Sequence, residues 1–167
     1  SLQAKLLWGT VLVILLVMAA LVAIVEHRQR AAIINEVQER GAVLARNLAS
    51  ISTGPLLLYN FTALEQNVAQ MAQETDVTYA IVLDAEGKVA AHSALPAVVG
   101  SVPKDPGSER AAKADGPLVQ ETVAPDTGKS LYEFAVPVKV EGQRWGTVRV
   151  GLSKHRMEAE IAKTRRE

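Results

Sequence analysis

The longest apolar run in the chain comes first. Leu6 to Val25, LLWGTVLVILLVMAALVAIV, contains no charged residue. About twenty helical residues, rising ~1.5 Å each, cross the ~30 Å hydrocarbon core of a bilayer. Residues 1–26 are therefore expected to form a transmembrane anchor. A cleaved leader is the competing reading, but its apolar region is shorter, roughly 7–15 residues, and ends at a small-x-small site. Here the run passes into a helical pattern at Glu26 without a break. Lys5 precedes it while Arg28 and Arg30 follow it, so charge gives no orientation.

Beyond the run, Ile34, Val37, Gly41, Leu44, Leu48 and Ile51 recur at spacings of three and four. That is one apolar seam on a helix, opposite Glu36, Glu39, Arg40 and Arg46. Residues 27–52 are predicted as a long helix. The seam suits packing on the domain's own sheet or on a second copy of the chain, and it is too short to decide between them. Thr53-Gly54-Pro55 is expected to end it. Thr62-Ala-Leu-Glu65 has capping-box spacing, and Leu64, Val68 and Met71 then share one side of a second helix.

From Val77 the period changes to two. Strands are predicted over 77–83 and 88–93 around the turn Asp84-Ala-Glu-Gly87, where Asp can bond the backbone ahead and Gly can take positive φ. An irregular stretch rich in Pro and Gly follows from Ala94 to Pro117, with a short helix expected over 108–114. A connection this long in a small domain is usually functional. Further strands are predicted over 118–124, 130–140 and 143–152, with Glu141-Gly142 as a tight turn. Tyr132, Phe134, Val136, Val138 and Val140 share one face with Val148, Val150 and Leu152, and should pack on a helix, with Tyr132 read as core. Pro137 lacks a ladder donor and marks its strand as an edge, at least locally. Ser153 is expected to cap an exit helix over 154–167.

Composition narrows the function. Lys plus Arg is 18 and Asp plus Glu is 18, so the net charge is zero, which argues against a nucleic-acid partner. With no cysteine there is no disulfide, no thiol catalysis and no thiolate-bound metal. His27, His92 and His155 are far apart and form no metal-binding spacing. No metal and no cofactor is expected. Ser101-Val-Pro-Lys104 fits a bare S-x-x-K, but it lies in a Pro-rich stretch rather than at a helix start. Gly128-Lys129 lacks the rest of a phosphate loop. The region given is not expected to be an enzyme.

Three stretches resemble the extracytoplasmic PAS-like domains called Cache domains. They are AIVLDAEGKVAAHS (Ala80 to Ser93), LPAVVGS (Leu95 to Ser101) and LYEFAVPVKVEGQRWGTVRVGLS (Leu131 to Ser153). The resemblance spans about Gly41 to Arg166. It implies an α+β fold: a five-stranded antiparallel PAS-like sheet over 53–153, the N-terminal helix on one face, and a ligand pocket between the other face and the irregular lid. It also implies a second membrane segment and a cytoplasmic output, such as a histidine kinase, cyclase or methyl-accepting domain. The domain itself would lie outside the inner membrane of a bacterium, periplasmic or extracellular.

Arg149 is a charge in mid-strand and wants a partner, either a bound carboxylate held in bidentate geometry or Glu133. His92 stands where the resemblance places a ligand contact, although a lone histidine is commonly structural. Tyr79 needs a partner for its hydroxyl or is simply core. Glu133 and Lys139 are candidates for the pocket rim, and Trp145 either lines the pocket or covers an edge. The expected activity is sensing of a small molecule, a carboxylate if Arg149 and His92 converge, by a membrane-held homodimer. Two alternatives stay open: a membrane-anchored dimerisation or docking module that binds no small molecule, and a cytoplasmic PAS-like module.

Overall fold

The computed structural model of the protein describes residues 2–124 and 127–154. Among these are the helices α1 (Leu2–Leu57), α2 (Phe61–Met71) and α3 (Pro106–Lys113) and a 3-10 turn at Pro96–Val98. The strands are β1 (Val77–Asp84), β2 (Val89–His92), β3 (Leu118–Val123), β4 (Ser130–Val140) and β5 (Gln143–Ser153). After Lys154 the expected exit helix lies outside the described residues.

The chain divides into two units, Ser1–Glu39 and Arg40–Glu167. In the first, the large apolar side chains described between Val11 and Val22 are all exposed. Among the described residues no helix is long and apolar enough to cross a membrane. The expected anchor extends beyond those side chains at both ends, and the side chains of Ile34 and Val37 also lie outside the described ones.

In the second unit the strands form one antiparallel sheet in the order β2-β1-β5-β4-β3. Its turns follow the sequence chemistry. Asp84 Oδ1 accepts from the amides of Glu86 and Lys88, both at 2.9 Å, and Gly87 takes φ +79°. Glu141 and Gly142 have φ of +52° and +81°, the two left-handed residues a tight hairpin requires. Residues 98–101 fold back on β2: Gly100 N–H donates to Val89 O at 2.7 Å and Val89 N–H to Ser101 O at 2.9 Å. This covers a sheet edge that would otherwise be open.

The C-terminal part of α1 lies on the face of the sheet that carries Phe134. Ala45, Leu48, Ser52 and Leu56 are buried there. A Cβ on Gly41 would enter the Phe134 ring, and one on Gly146 would strike the carbonyl oxygen of Leu83, so both glycines are set by close approach. The expected seam thus shares Gly41 and Leu48 with the real one, whereas Ile51 is 40% exposed. Tyr132 is only half-buried, with the Lys154 ammonium 4.8 Å above its ring. On the opposite face Tyr79, Ile81, Leu83, Val89, Ala124 and Leu131 form a buried cluster.

Several boundaries correct the sequence reading. α1 does not stop at Thr53-Gly54-Pro55 but runs on to Leu57 with Pro55 inside it. Pro55 has no N–H for the Ile51 carbonyl four residues back, and Asn67 Nδ2 of α2 supplies that donor at 3.1 Å. The helix ends where Tyr59 turns to φ +51°. α2 is capped by Asn60, not Thr62: the Asn60 side chain accepts from the Ala63 amide at 3.1 Å, and Asn outranks Thr as a cap. α3 starts at Pro106 rather than Ser108, because Asp105 caps it and Pro at the first position suits a helix start. β4 as a whole is interior, flanked by β5 and β3. β3 ends opposite Ala135, so Pro137 sits on a local edge where its missing N–H is tolerated.

Candidate functional site

Strand register assembles the site. Tyr79 pairs with Gly151, Gly151 with Glu133, and Glu133 with Gln120, one row across four strands. The neighbouring row runs His92–Ile81–Arg149–Ala135. Side chains two residues apart along a strand share a face, so Arg149 leans diagonally onto Glu133. Gly151 makes the row possible: a Cβ there would lie 2.7 Å from Tyr79 ring carbons. Without one, the phenol crosses β5 and delivers its hydroxyl to Glu133.

Glu133 is fully buried and Arg149 is 4% exposed. Arg149 Nη2 donates to Glu133 Oε2 at 2.7 Å. The same oxygen accepts from the Tyr79 hydroxyl, and Oε1 accepts from Gln120 Nε2 at 2.6 Å. A buried carboxylate with this many donors is well compensated for its desolvation. Burial, then the Glu133 charge and the hydrogen bond to it, push the Tyr79 hydroxyl far above its ordinary pKa, so it stays a donor. Burial opposes the charge on Arg149, but Glu133, with Tyr79 and Asp105, outweighs it and raises the pKa.

α3 closes over this pair. Arg149 Nη1 donates to the Ser108 hydroxyl, which donates in turn to Asp105 Oδ1. Asp105 Oδ2 accepts from the Ser108 amide at 2.8 Å and lies 3.8 Å from Arg149 Nη2. Partial burial works to raise the Asp105 pKa, but the Ser108 hydroxyl and amide, followed by Arg149, hold it below the usual carboxylate value. Gln120 Nε2 also donates to Gly107 O at 2.9 Å. The other end of α3 is held by Arg144, whose guanidinium donates to the carbonyls of Ala112 and Ala114.

Two buried atoms around the pair have no hydrogen-bond partner: Arg149 Nε, a donor, and Gln120 Oε1, an acceptor. A hollow of about 680 Å³ lies on the other flank of α3, along Glu109, Arg110, Lys113 and Leu118. Beneath α3 itself, buried Gly107, Ser108 and Ala111 face buried Gln120, Glu133 and Arg149, so side chains fill that space.

The sequence candidates separate accordingly. Tyr79, Glu133 and Arg149 come together, and the ion pair with Glu133, weighed as one partner for Arg149, is present. His92 is buried beside them with its ring centroid 6.0 Å from that of Tyr79. Its Nδ1 accepts from the amides of Ala94 and Leu95 at 3.1 and 3.0 Å, which places the proton of the neutral ring on Nε2. Lys139 is engaged elsewhere, donating to Asp115 O at 2.8 Å. Trp145 is half-buried near the start of β5 and takes no part in the network. Asp105, Ser108 and Gln120 were not singled out from sequence. The signal for the first two was present in Asp105-Pro-Gly-Ser108, a capping residue followed by Pro at the first helical position. Among the described residues no group of His, Cys, Asp and Glu could hold a metal ion.

A model of the single Cache domain 3 family matches residues 28–166. No curated protein matches the sequence. Among solved structures, the V. cholerae histidine kinase DctB sensor domain is similar with a TM-score of 0.63 at 14% identity, covering 77% of this chain and 54% of that one. For the E. coli DcuS sensor domain the values are 0.61 and 15%, with 78% and 98% covered. For the ligand-binding domain of the Campylobacter jejuni chemoreceptor Tlp3 in complex with 4-methylisoleucine they are 0.64 and 11%, with 79% and 57% covered. At these identities the likeness is one of fold. The chain spans little more than half of the DctB and Tlp3 chains and nearly all of the DcuS chain.

Proposed function

Because the chain belongs to the single Cache domain 3 family, we propose that it is the extracytoplasmic ligand-sensing domain of a membrane-bound signalling receptor, and that the ligand acts at Arg149 under α3. The observation that carries this is the buried Arg149 guanidinium. It is held by Glu133 from the sheet and by Ser108 from α3, and its Nε is still without a partner. A ligand carboxylate that takes this donor competes with Ser108 and Asp105 and loosens the N-terminus of α3. Tyr79, Gln120 and His92 form the surrounding wall.

The route outward is short. β5 carries Arg149 and ends at Ser153, whose amide donates to Asp76 O at 3.0 Å. The Asp76 carboxylate lies 3.7 Å from Arg40 on α1. The entering helix and the departing chain therefore meet at Asp76. A ligand shifts this junction only by its difference in affinity between two arrangements. The apolar run Leu6–Val25 supports a membrane anchor, and a second copy paired along α1 completes the reading.

The test is calorimetric titration of the full chain with small acids and amino acids, alongside the paired variant Arg149→Gln/Glu133→Gln. That variant removes both charges together and leaves neither stranded. Binding by the wild type and none by the folded double variant is expected. Undiminished binding by the double variant overturns the site. A second reading, a docking module without a small ligand, is favoured by the filled space beneath α3, and it gains if no compound binds while the chain self-associates.

A further inference from the structure

The two edges of the sheet are treated differently. β2 is covered by residues 98–101, where Val89 exchanges backbone hydrogen bonds with Gly100 and Ser101. β3 forms the other edge, and among the described residues no backbone hydrogen bond reaches it from outside the sheet. The usual protections of an edge are missing there. LVQETV holds no Lys and no Pro, and its pairing with β4 runs without a bulge. Its one charge, Glu121, is drawn to Lys154 Nζ at 3.0 Å. Val119 and Val123 lie open, 43% and 55% exposed. A row of unpaired amides and carbonyls flanked by exposed valines is a template for another strand.

Strand parity sets what the added strand carries. Gln120 Nε2 donates to Gly107 O, and a Cβ on Gly107 would lie 3.6 Å from Thr122 Oγ1. Even-numbered positions of β3 therefore face α3, and Val119, Glu121 and Val123 face the other way. A further strand continues both faces. On the α3 side its side chains enter the hollow of about 680 Å³ between Leu118 and the outer flank of α3. Arg110 and Lys113 line that hollow against Glu109, all three are exposed, and the balance is positive. On the other side its side chains lie beside Val119 and Val123. Negative charge suits the first face and apolar bulk the second. A second copy of β3 fits poorly. Antiparallel edge-to-edge pairing about a two-fold axis keeps both α3 helices on one side of the joined sheet and brings two positive hollows together.

We propose that the open edge of β3 receives an extended segment of a partner protein, with acidic side chains toward α3 alternating with apolar ones on the far face. This interaction stands apart from the sensing reading and does not depend on it. It reaches the departing chain by a short path, because Glu121 of the edge strand holds Lys154, the residue that follows β5.

The experiment is fluorescence anisotropy with the full chain in zwitterionic lipid nanodiscs. The probe is an octapeptide of alternating valine and glutamate, labelled at its N-terminus and amidated at its C-terminus. One control peptide alternates valine with lysine. The other carries proline at the two central positions, which removes amide donors from the strand. The valine–glutamate peptide is expected to bind saturably, and at least tenfold more tightly than either control. Arg110→Gln/Lys113→Gln, at exposed positions, should weaken it at least fivefold. No saturable binding, a ratio below tenfold against either control, or an affinity unchanged in Arg110→Gln/Lys113→Gln overturns the proposal. Self-association that Val119→Asp/Val123→Asp disperses and the peptide does not would assign the edge to a second copy, which also overturns it. Titration with small acids is a separate readout, so failure here leaves the sensing reading standing.

Discussion

The side-chain amide of Asn67 donates to the main-chain carbonyl of Ile51 at 3.1 Å, the carbonyl that Pro55 leaves without its helical donor. α2 thus repairs α1 at the point where proline interrupts it. Asn67→Ala should cost about 0.5–1.5 kcal/mol, the usual net worth of one hydrogen bond. In a Pro55→Ala background the helix regains its own donor, and the same substitution should cost close to nothing. Urea midpoints for the four proteins measure the coupling. Equal cost in both backgrounds would mean that the amide is not standing in for the missing N–H.

Gly41 and Phe134 make an opposite pair, in which absence of a side chain is the contact. In an ordinary helix Gly→Ala stabilises by about 1 kcal/mol. Here the added methyl would enter a ring that is 1% exposed. Overpacking of that kind costs ~1–3 kcal/mol, so Gly41→Ala should lower the melting temperature by several degrees. Gly41→Ala with Phe134→Leu should recover part of the loss. A melting temperature raised by the single substitution would show that α1 has room to lift from the sheet.

These two pairs show where the sequence was legible. The period-two pattern located the strands found among the described residues, because alternation and turn chemistry are local. The Glu141-Gly142 turn and the Asp84 turn follow from residue type alone. The buried stripe of α1 was displaced, because the run offers apolar or small residues on adjoining faces. A straight helix also drifts against a strict heptad, so Ala45 and Ser52 replace Leu44 and Ile51. Boundaries failed where a distant group intervened: nothing near Pro55 in sequence announces Asn67. In the site, Glu133 and Arg149 could be paired by strand parity. The contribution of α3 could not, since the placement of Asp105 and Ser108 over Arg149 depends on the path of an irregular connection.

Glu133 and Arg149 should be costly to separate and cheap to replace together. Glu133→Gln leaves a buried guanidinium with only the half-exposed Asp105 carboxylate at 3.8 Å, and breaking such buried pairs typically costs about 3–5 kcal/mol. Arg149→Met strands the carboxylate, although Tyr79 and Gln120 still donate to it, so its cost should lie at the lower end. Glu133→Leu with Arg149→Met removes both charges, and it should lie within ~1–2 kcal/mol of the wild type. Denaturant unfolding of the four proteins gives the values. A double variant as unstable as the sum of the singles would mean that the two side chains are not coupled and that each is held by its other partners.

Acid should release α3 through Asp105. Its pKa is lowered in the folded chain, where the Ser108 hydroxyl and amide and Arg149 together outweigh partial burial. A carboxylate whose folded pKa lies below its unfolded value near ~4 contributes fully above that value. The contribution is lost as pH falls through the folded pKa. The cap interaction is worth about 1 kcal/mol, and the half-exposed position keeps the charge contribution small. Asp105→Asn preserves a capping oxygen but does not titrate. Other carboxylates titrate in both proteins and cancel in the comparison, so the stability difference between wild type and Asp105→Asn isolates this one group. The wild type should lead by about 0.5–1 kcal/mol at pH 6, and the lead should shrink steadily below pH ~4. Denaturant midpoints at a series of pH values read it directly. A difference that stays constant down to strongly acid pH, or that grows there, would show that Asp105 is not held in its charged form by α3 and Arg149.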